Sequence, residues 1–154
     1  MNENVFVDTN VLVYVRDRTE PEKQRRAADW MAALWESRKG RIGFQVLHEY
    51  YVTATRKLDP PRAPADVRED IEALRAWHPL PVDFGTIEGA WRIEDRYGLA
   101  WWDALIVSAA LESGCAFLLT EDLQDQQTLD GLTVLNPFRQ PPGEIVPGGG
   151  GERG

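Results

Sequence analysis

The segment Val5-Phe6-Val7-Asp8-Thr9-Asn10-Val11-Leu12-Val13-Tyr14 constrains this chain more than any other, because a valine-rich apolar run breaks off at an acid. Such a run reads as a fully buried strand. Ligands of open α/β sheets bind in the crevice beyond the carboxyl ends of the strands, so a strand here aims Asp8 at a site. Asp, Asn and Thr also cap helices, and Thr9-Asn10 opens a helical pattern. Asp8 therefore reads equally well as an N-cap.

Downstream, Ala27, Trp30, Met31 and Leu34 recur at the spacing of an amphipathic helix over residues 22–38, with Arg38-Lys39-Gly40 as its stop. Arg41 to Phe44 is a short strand candidate. Gln45 to Lys57 is a helix halted by Asp59-Pro60-Pro61, and Pro64 opens another with Val67, Ile71 and Leu74 on one face. Pro79 to Val82 is a weak strand, and a helix from about Thr86 to Tyr97 ends at Gly98. Trp101 onward feeds a buried helix to about Ser113, Ala116 to Thr120 is a second buried strand that ends in Glu121 and Asp122, and Thr133 to Leu135 is a last short strand. Strands alternating with helices predict a parallel sheet joined by right-handed crossovers. From about Gln140 the chain turns to proline, glycine and charge, through Gly148-Gly149-Gly150-Gly151, with little to bury. The expected organisation is one domain over 1–139 and a disordered tail over 140–154.

At 154 residues and 43% hydrophobic, one domain can bury a core without disulfides or a structural metal. Cys115 sits in an apolar run and reads as a small buried hydrophobe in a reducing compartment. No signal-peptide layout and no membrane-length apolar run occur, so a soluble cytoplasmic protein is expected. The 17 Lys plus Arg against 25 Asp plus Glu, net −8, argue against broad phosphate neutralisation. An enzyme acting on nucleic acid stays open, because a cation held by clustered acids inverts the local field.

Four acids stand at strand or helix positions: Asp8, Glu49 inside a helix, Asp103 at a helix start and Asp122 after the second buried strand. Each also has an ordinary reading. Glu49 could lie on a solvated helix face, Asp103 could favour a helix dipole, and Asp122 could belong to a turn beside Asp125. Their combination points to function, since carboxylates converging to about 4 Å repel by about 4 kcal/mol at an effective dielectric of 20. Such a cluster needs a cation or raised pKa values. Oxygen-only ligands favour Mg²⁺ or Mn²⁺ over zinc.

The motifs Val7-Asp8-Thr9-Asn10-Val11-Leu12-Val13-Tyr14, His48-Glu49, Tyr97-Gly98-Leu99 with Trp102-Asp103-Ala104-Leu105-Ile106, and Leu119-Thr120-Glu121-Asp122-Leu123-Gln124 together resemble the PIN domain. Within that group the chain is similar to the VapC ribonuclease toxins of toxin–antitoxin pairs. The resemblance runs along residues 5–138. It implies that Asp8, Glu49, Asp103 and Asp122 bind metal, with Asn10 and Thr120 as supporting polar residues. It also implies a three-layer α/β/α sandwich with five parallel strands in the order 3-2-1-4-5, an antitoxin partner and a homodimer. Gln126 departs from the pattern, where relatives often carry glycine, which bears on the local loop.

The expected activity is Mg²⁺- or Mn²⁺-dependent hydrolysis of RNA phosphodiester bonds, leaving 5′-phosphate and 3′-hydroxyl ends by resemblance. Asp8 and Asp103 are read as direct metal ligands, with Glu49 and Asp122 holding a second ion or orienting water. Arg56 lies two turns beyond Glu49 on the same side and is the best candidate for substrate among Arg16, Arg56, Lys57, Arg92 and Arg96. His48 faces away from Glu49 and reads as a packing or hydrogen-bonding residue, and His78 as a surface or turn residue. Trp101 and Trp102 could stack on bases, with packing preferred for at least one. The rival reading is a noncatalytic PIN-like module acting through protein partners; retention of all four acids argues for activity. A receiver-type phosphoacceptor domain fits less well, because no lysine follows Lys57.

Overall fold

The structure, a computed structural model, describes residues 3–146. Its central strand is β1 (Val5–Val7), whose three residues are all fully buried, as the apolar run requires. The chain continues through α1 (Thr9–Arg16), α2 (Pro21–Ser37), β2 (Gly40–Arg41), α3 (Phe44–Arg56) and α4 (Pro64–Ala73). Then follow α5 (Phe84–Tyr97), α6 (Trp101–Glu112), β3 (Phe117–Leu119), β4 (Thr128–Leu129) and β5 (Leu132–Leu135). β2 and β3 flank β1 in parallel, with Val5 opposite both Gly40 and Phe117. β5 runs parallel to β3, and β4 pairs antiparallel with β5 at the edge.

The sheet is thus five-stranded and mostly parallel, in the order β2-β1-β3-β5-β4. This corrects the expected all-parallel order 3-2-1-4-5. The expected strand at 79–82 supplies a single bridge, Gly43 to Leu80. Pro79 and Pro81 have no amide donors, which leaves Leu80 alone to pair: its N–H donates to the Ile42 carbonyl and its carbonyl accepts from Phe44 N. At the other edge, Asp130 and Gly131, both at positive φ, form a two-residue turn that folds β4 back on β5. Asp-Gly is the sequence that a primed hairpin turn favours.

Burial follows the helical periodicity. α2 sinks Ala27, Trp30 and Leu34. Its left-handed C-cap is Arg38 rather than the glycine of the expected stop signal. Gly40 instead lets β2 run against Trp77, whose ring a Cβ at Gly40 would meet at 2.6 Å. α6 is buried without a break from Ala104 to Ala110. It packs closely on α5, where a Cβ at Gly89 would lie 2.4 Å from Ser108 Oγ. Cys115 is buried at the entry to β3, and burial pushes its thiol up to about 12, in keeping with a packing role.

The start of the expected tail packs onto the domain. Gln140 O accepts from Trp30 Nε1 at 2.8 Å, residues 142–144 form a short helical turn against α2, and Val146 is buried. Residues 147–154 of that expected tail lie outside the described residues.

Gln126 occupies a left-handed backbone position, φ 67°. Side chains with a Cβ are strained there by about 1–2 kcal/mol, which accounts for glycine at this place in the family pattern. Gln126→Gly is expected to be neutral or to stabilise by up to about 1 kcal/mol in urea unfolding, after the extra chain entropy of glycine is offset. Gln127→Gly, at ordinary φ, should destabilise; a Gln126→Gly protein weakened as much as Gln127→Gly would contradict this account.

Candidate functional site

Parallel register decides which residues meet. Val7 lies opposite Leu119, so Asp8 and Thr120 emerge side by side at the carboxyl ends of β1 and β3. Asp8 N donates to Leu119 O at 3.1 Å, and Thr120 N to Leu135 O at 3.0 Å. Asp8 is 7% exposed and serves both roles the sequence allows. Its Oδ1 accepts from Thr9 N at 2.7 Å and caps α1, while Oδ2 accepts from Thr120 Oγ1 at 2.9 Å and from Asn10 Nδ2 at 3.4 Å.

Asn10 is the hub of this end of the sheet. Its Nδ2 also donates to Thr120 Oγ1 at 3.1 Å and to Asp122 Oδ2 at 3.2 Å, and its Oδ1 accepts from Glu121 N at 3.3 Å. Asp122 N in turn donates to Thr120 Oγ1 at 3.1 Å. One amide and one hydroxyl thus tie the turn after β3 to Asp8. Glu49, half-buried on α3, joins through Thr9: Thr9 Oγ1 donates to Glu49 Oε1 at 2.7 Å, and Gln45 Nε2 to Glu49 Oε2 at 3.3 Å. Asp103 sits in the first turn of α6, half-buried, and its charge couples to Asp122.

Among the described residues none of the four carboxylates makes an ion pair, and the electrostatics show it. Burial pushes the Asp8 carboxyl up to about 6; hydrogen bonds from Thr9 and Thr120 oppose the rise, and the charges of Asp122 and Glu49 add to it. Burial also raises Asp122, helped by Glu121 and Glu49 and opposed by Asn10. Asp103 is raised by burial and by Asp122. An oxygen-only donor set with unbalanced negative charge suits a hard divalent cation. Among the described residues, however, no three His, Cys, Asp or Glu side chains are gathered closely enough to hold a metal ion. The donor chemistry fits, and the side chains stand short of a closed coordination shell.

The family profile described as PIN domain matches residues 5–131. The chain belongs to the PIN domain family. The matched span contains Asp8, Glu49, Asp103 and Asp122. Solved structures that share the fold seen here include two toxin–antitoxin assemblies. A toxin–antitoxin complex from Klebsiella pneumoniae superposes with a TM-score of 0.61 at 19% identity, over 87% of this chain and 98% of that one. VapBC2 from Rickettsia felis, bound to a DNA fragment from their promoter, gives 0.55 at 14% identity, over 86% and 97%. No curated protein matches the sequence.

The carboxyl edge of the sheet links Asp8, Asn10, Thr120 and Asp122 by direct hydrogen bonds, Glu49 through Thr9, and Asp103 through charge alone. Thr9 and Gln45 were not among the residues expected at the site. Gln45 was findable, since Gln and Glu four apart share a helix face, but Thr9 meets a residue 40 positions away with no local signal. His48 is exposed on the wall of an apolar groove with Phe44, Tyr51 and Val52. His78 is exposed in a left-handed turn. Arg16 is paired with Asp70 at 2.9 Å and Arg96 with Asp130 at 3.4 Å, whereas Arg56 is exposed on the last turn of α3. Trp101 packs against the core, and Trp102 is 62% exposed.

Asp8 gives the site a pH signature. Its carboxyl titrates near 6 in the folded chain against 3.8 ordinarily, so the proton-bound form favours folding. That contribution, about 3 kcal/mol, is complete below about pH 4 and is lost as pH rises through 6. Urea unfolding in chelator should therefore show stability falling across this window, less steeply in Asp8→Asn. Equal slopes in the two proteins would mean that Asp8 is solvated.

Proposed function

We propose that this PIN domain is a Mg²⁺- or Mn²⁺-dependent endoribonuclease, the toxin of a toxin–antitoxin pair. The observation that carries the reading is the uncompensated carboxylate cluster at the ends of β1 and β3, with Asn10 and Thr120 bonded between Asp8 and Asp122. Asp8 and Asp103 would hold the cation directly, and Glu49 and Asp122 would hold a second ion or orient the attacking water. When bound, the cation would supply a Lewis acid and an acidified water at the scissile phosphate. Asn10 bridges the Asp8 and Asp122 carboxylates against their repulsion, and Thr120 bonds the Asp8 carboxylate and the Asp122 amide. Arg56, about 10 Å along α3 from Glu49, would meet a backbone phosphate. Two contacting groups of helices, α1 with α2, α3 and α4, and α5 with α6, support the three-layer sandwich. The structural neighbours, both toxin–antitoxin assemblies, support an antitoxin partner for this chain. No helix among the described residues is long and apolar enough to cross a membrane.

The noncatalytic alternative draws on the absence, among the described residues, of a gathered three-carboxylate group. Cleavage of a structured RNA mixture with Mg²⁺ or Mn²⁺, beside a chelator control and Asp103→Asn, separates the two. Cleavage abolished by chelator and reduced about 100-fold or more in Asp103→Asn is expected. A fully active Asp103→Asn protein would remove Asp103 from the site, and an inert parent in both metals would favour the binding module.

The homodimer belongs to the same reading. Phe84 and Trp91, 65% and 47% exposed, meet edge to face at 6.1 Å on α5 and offer it an apolar surface. Light scattering is expected to give a dimer mass that reverts to monomer in Phe84→Ser/Trp91→Ser; a monomeric parent at all concentrations would refute it.

A further inference from the structure

Asp122 differs from the other three acids in what carries it. Asp8 ends a strand, while Glu49 and Asp103 ride on helices; Asp122 lies in the turn between β3 and β4. Its preceding residue, Glu121, is held by both carboxylate oxygens. Oε2 accepts from Tyr14 Oη at 2.6 Å, and Oε1 from Lys23 Nζ at 3.0 Å. Lys23 Nζ also donates to Tyr14 Oη at 3.3 Å. The same ammonium lies 4.9 Å from the Tyr14 ring centre and 5.1 Å from that of Phe138, and the two rings meet edge to face at 5.1 Å. Two hydrogen bonds and two aromatic rings therefore hold one cation.

Tyr14 stands one turn beyond Asn10 on α1, so both side chains project from one helix face. Asn10 binds the Asp122 carboxylate and the Glu121 amide, and Tyr14 binds the Glu121 carboxylate. Successive turns of α1 thus grip successive residues of the loop. Lys23, from α2, closes the grip and partly offsets the Glu121 charge, which still adds to the raised Asp122 carboxyl.

We propose that Tyr14 and Lys23 are positioning residues that act through Glu121 to hold Asp122 toward the cation site. This rests on the metal-nuclease reading above. The Lys23–Glu121 pair is 37% and 25% exposed, and a pair so placed contributes little to global stability. Its removal therefore shows in metal affinity and turnover rather than in the melting temperature.

The test uses the full chain and Mn²⁺ alone as the metal, with free Mn²⁺ read by electron paramagnetic resonance and RNA cleavage measured separately. Tyr14→Phe and Lys23→Met should each weaken Mn²⁺ binding about 10-fold and lower kcat by a similar factor, with KM unchanged. The melting temperature should move by less than about 3 °C, and Lys23→Arg should restore most of the affinity. Variants with parental Mn²⁺ affinity and kcat would overturn the positioning role. So would losses that scale with lowered melting temperature and are not rescued by arginine. A parent that neither binds Mn²⁺ nor cuts RNA would overturn the nuclease reading and this inference with it; an active parent with unaffected variants would overturn this inference alone.

Discussion

Two parallel strands that end level with one another, β1 at Val7 and β3 at Leu119, force Asp8 and Thr120 into contact at the carboxyl edge of the sheet. Burying a carboxylate there is costly unless its oxygens are bonded, and a second acid close by raises the cost. The surrounding side chains answer that cost. Thr9 N and Thr120 Oγ1 take the two oxygens of Asp8, and Asn10 bridges Asp8 to Asp122. Even so, the Asp8 carboxyl stays raised to about 6, so hydrogen bonding only partly offsets desolvation. The residual imbalance is what a divalent cation would relieve, and it is the physical link between this fold and the proposed chemistry.

The helices matter to the site through the faces they present. α1 carries Asp8 as its cap and Thr9, Asn10 and Tyr14 in its first two turns, and these four side chains reach Thr120, Glu49, Asp122 and Glu121 respectively. α1 is therefore the element that ties the loop after β3, and α3, to the end of β1. α6 plays a different part. Its all-round apolar character buries it deeply, and the close α5 contact at Gly89 and Ser108 fixes it, so Asp103 is presented by a rigid support. In the proposed reading Asp103 would gain from such support, because its geometry is fixed before a ligand arrives.

Much of this was legible in the residues. The valine run ending at Asp8, the second run ending at Thr120-Glu121-Asp122, the helix periodicities and the four acids were all local signals, and the PIN family follows from them. The all-parallel order was not borne out because two prolines starved the 79–82 segment of donors while Asp130-Gly131 turned β4 back onto β5. The hairpin had a signal in that Asp-Gly pair. Thr9 to Glu49 had none, being a contact between residues 40 apart whose meeting depends on how α1 lies on α3.

By itself the sequence determined which residues could carry chemistry: continuous apolar runs and helical patterns place Asp8 just past one strand, Asp122 in the turn after another and Asp103 at a helix start, because a buried run gives way to polar groups beyond its end. Only the tertiary structure decided how they are held. Strand register put Thr120 against Asp8, the rotation of α1 aimed Asn10 and Tyr14 at one loop, and α2 brought Lys23 to Glu121. These are distances between segments far apart in the chain, set by packing, and no local pattern encodes them.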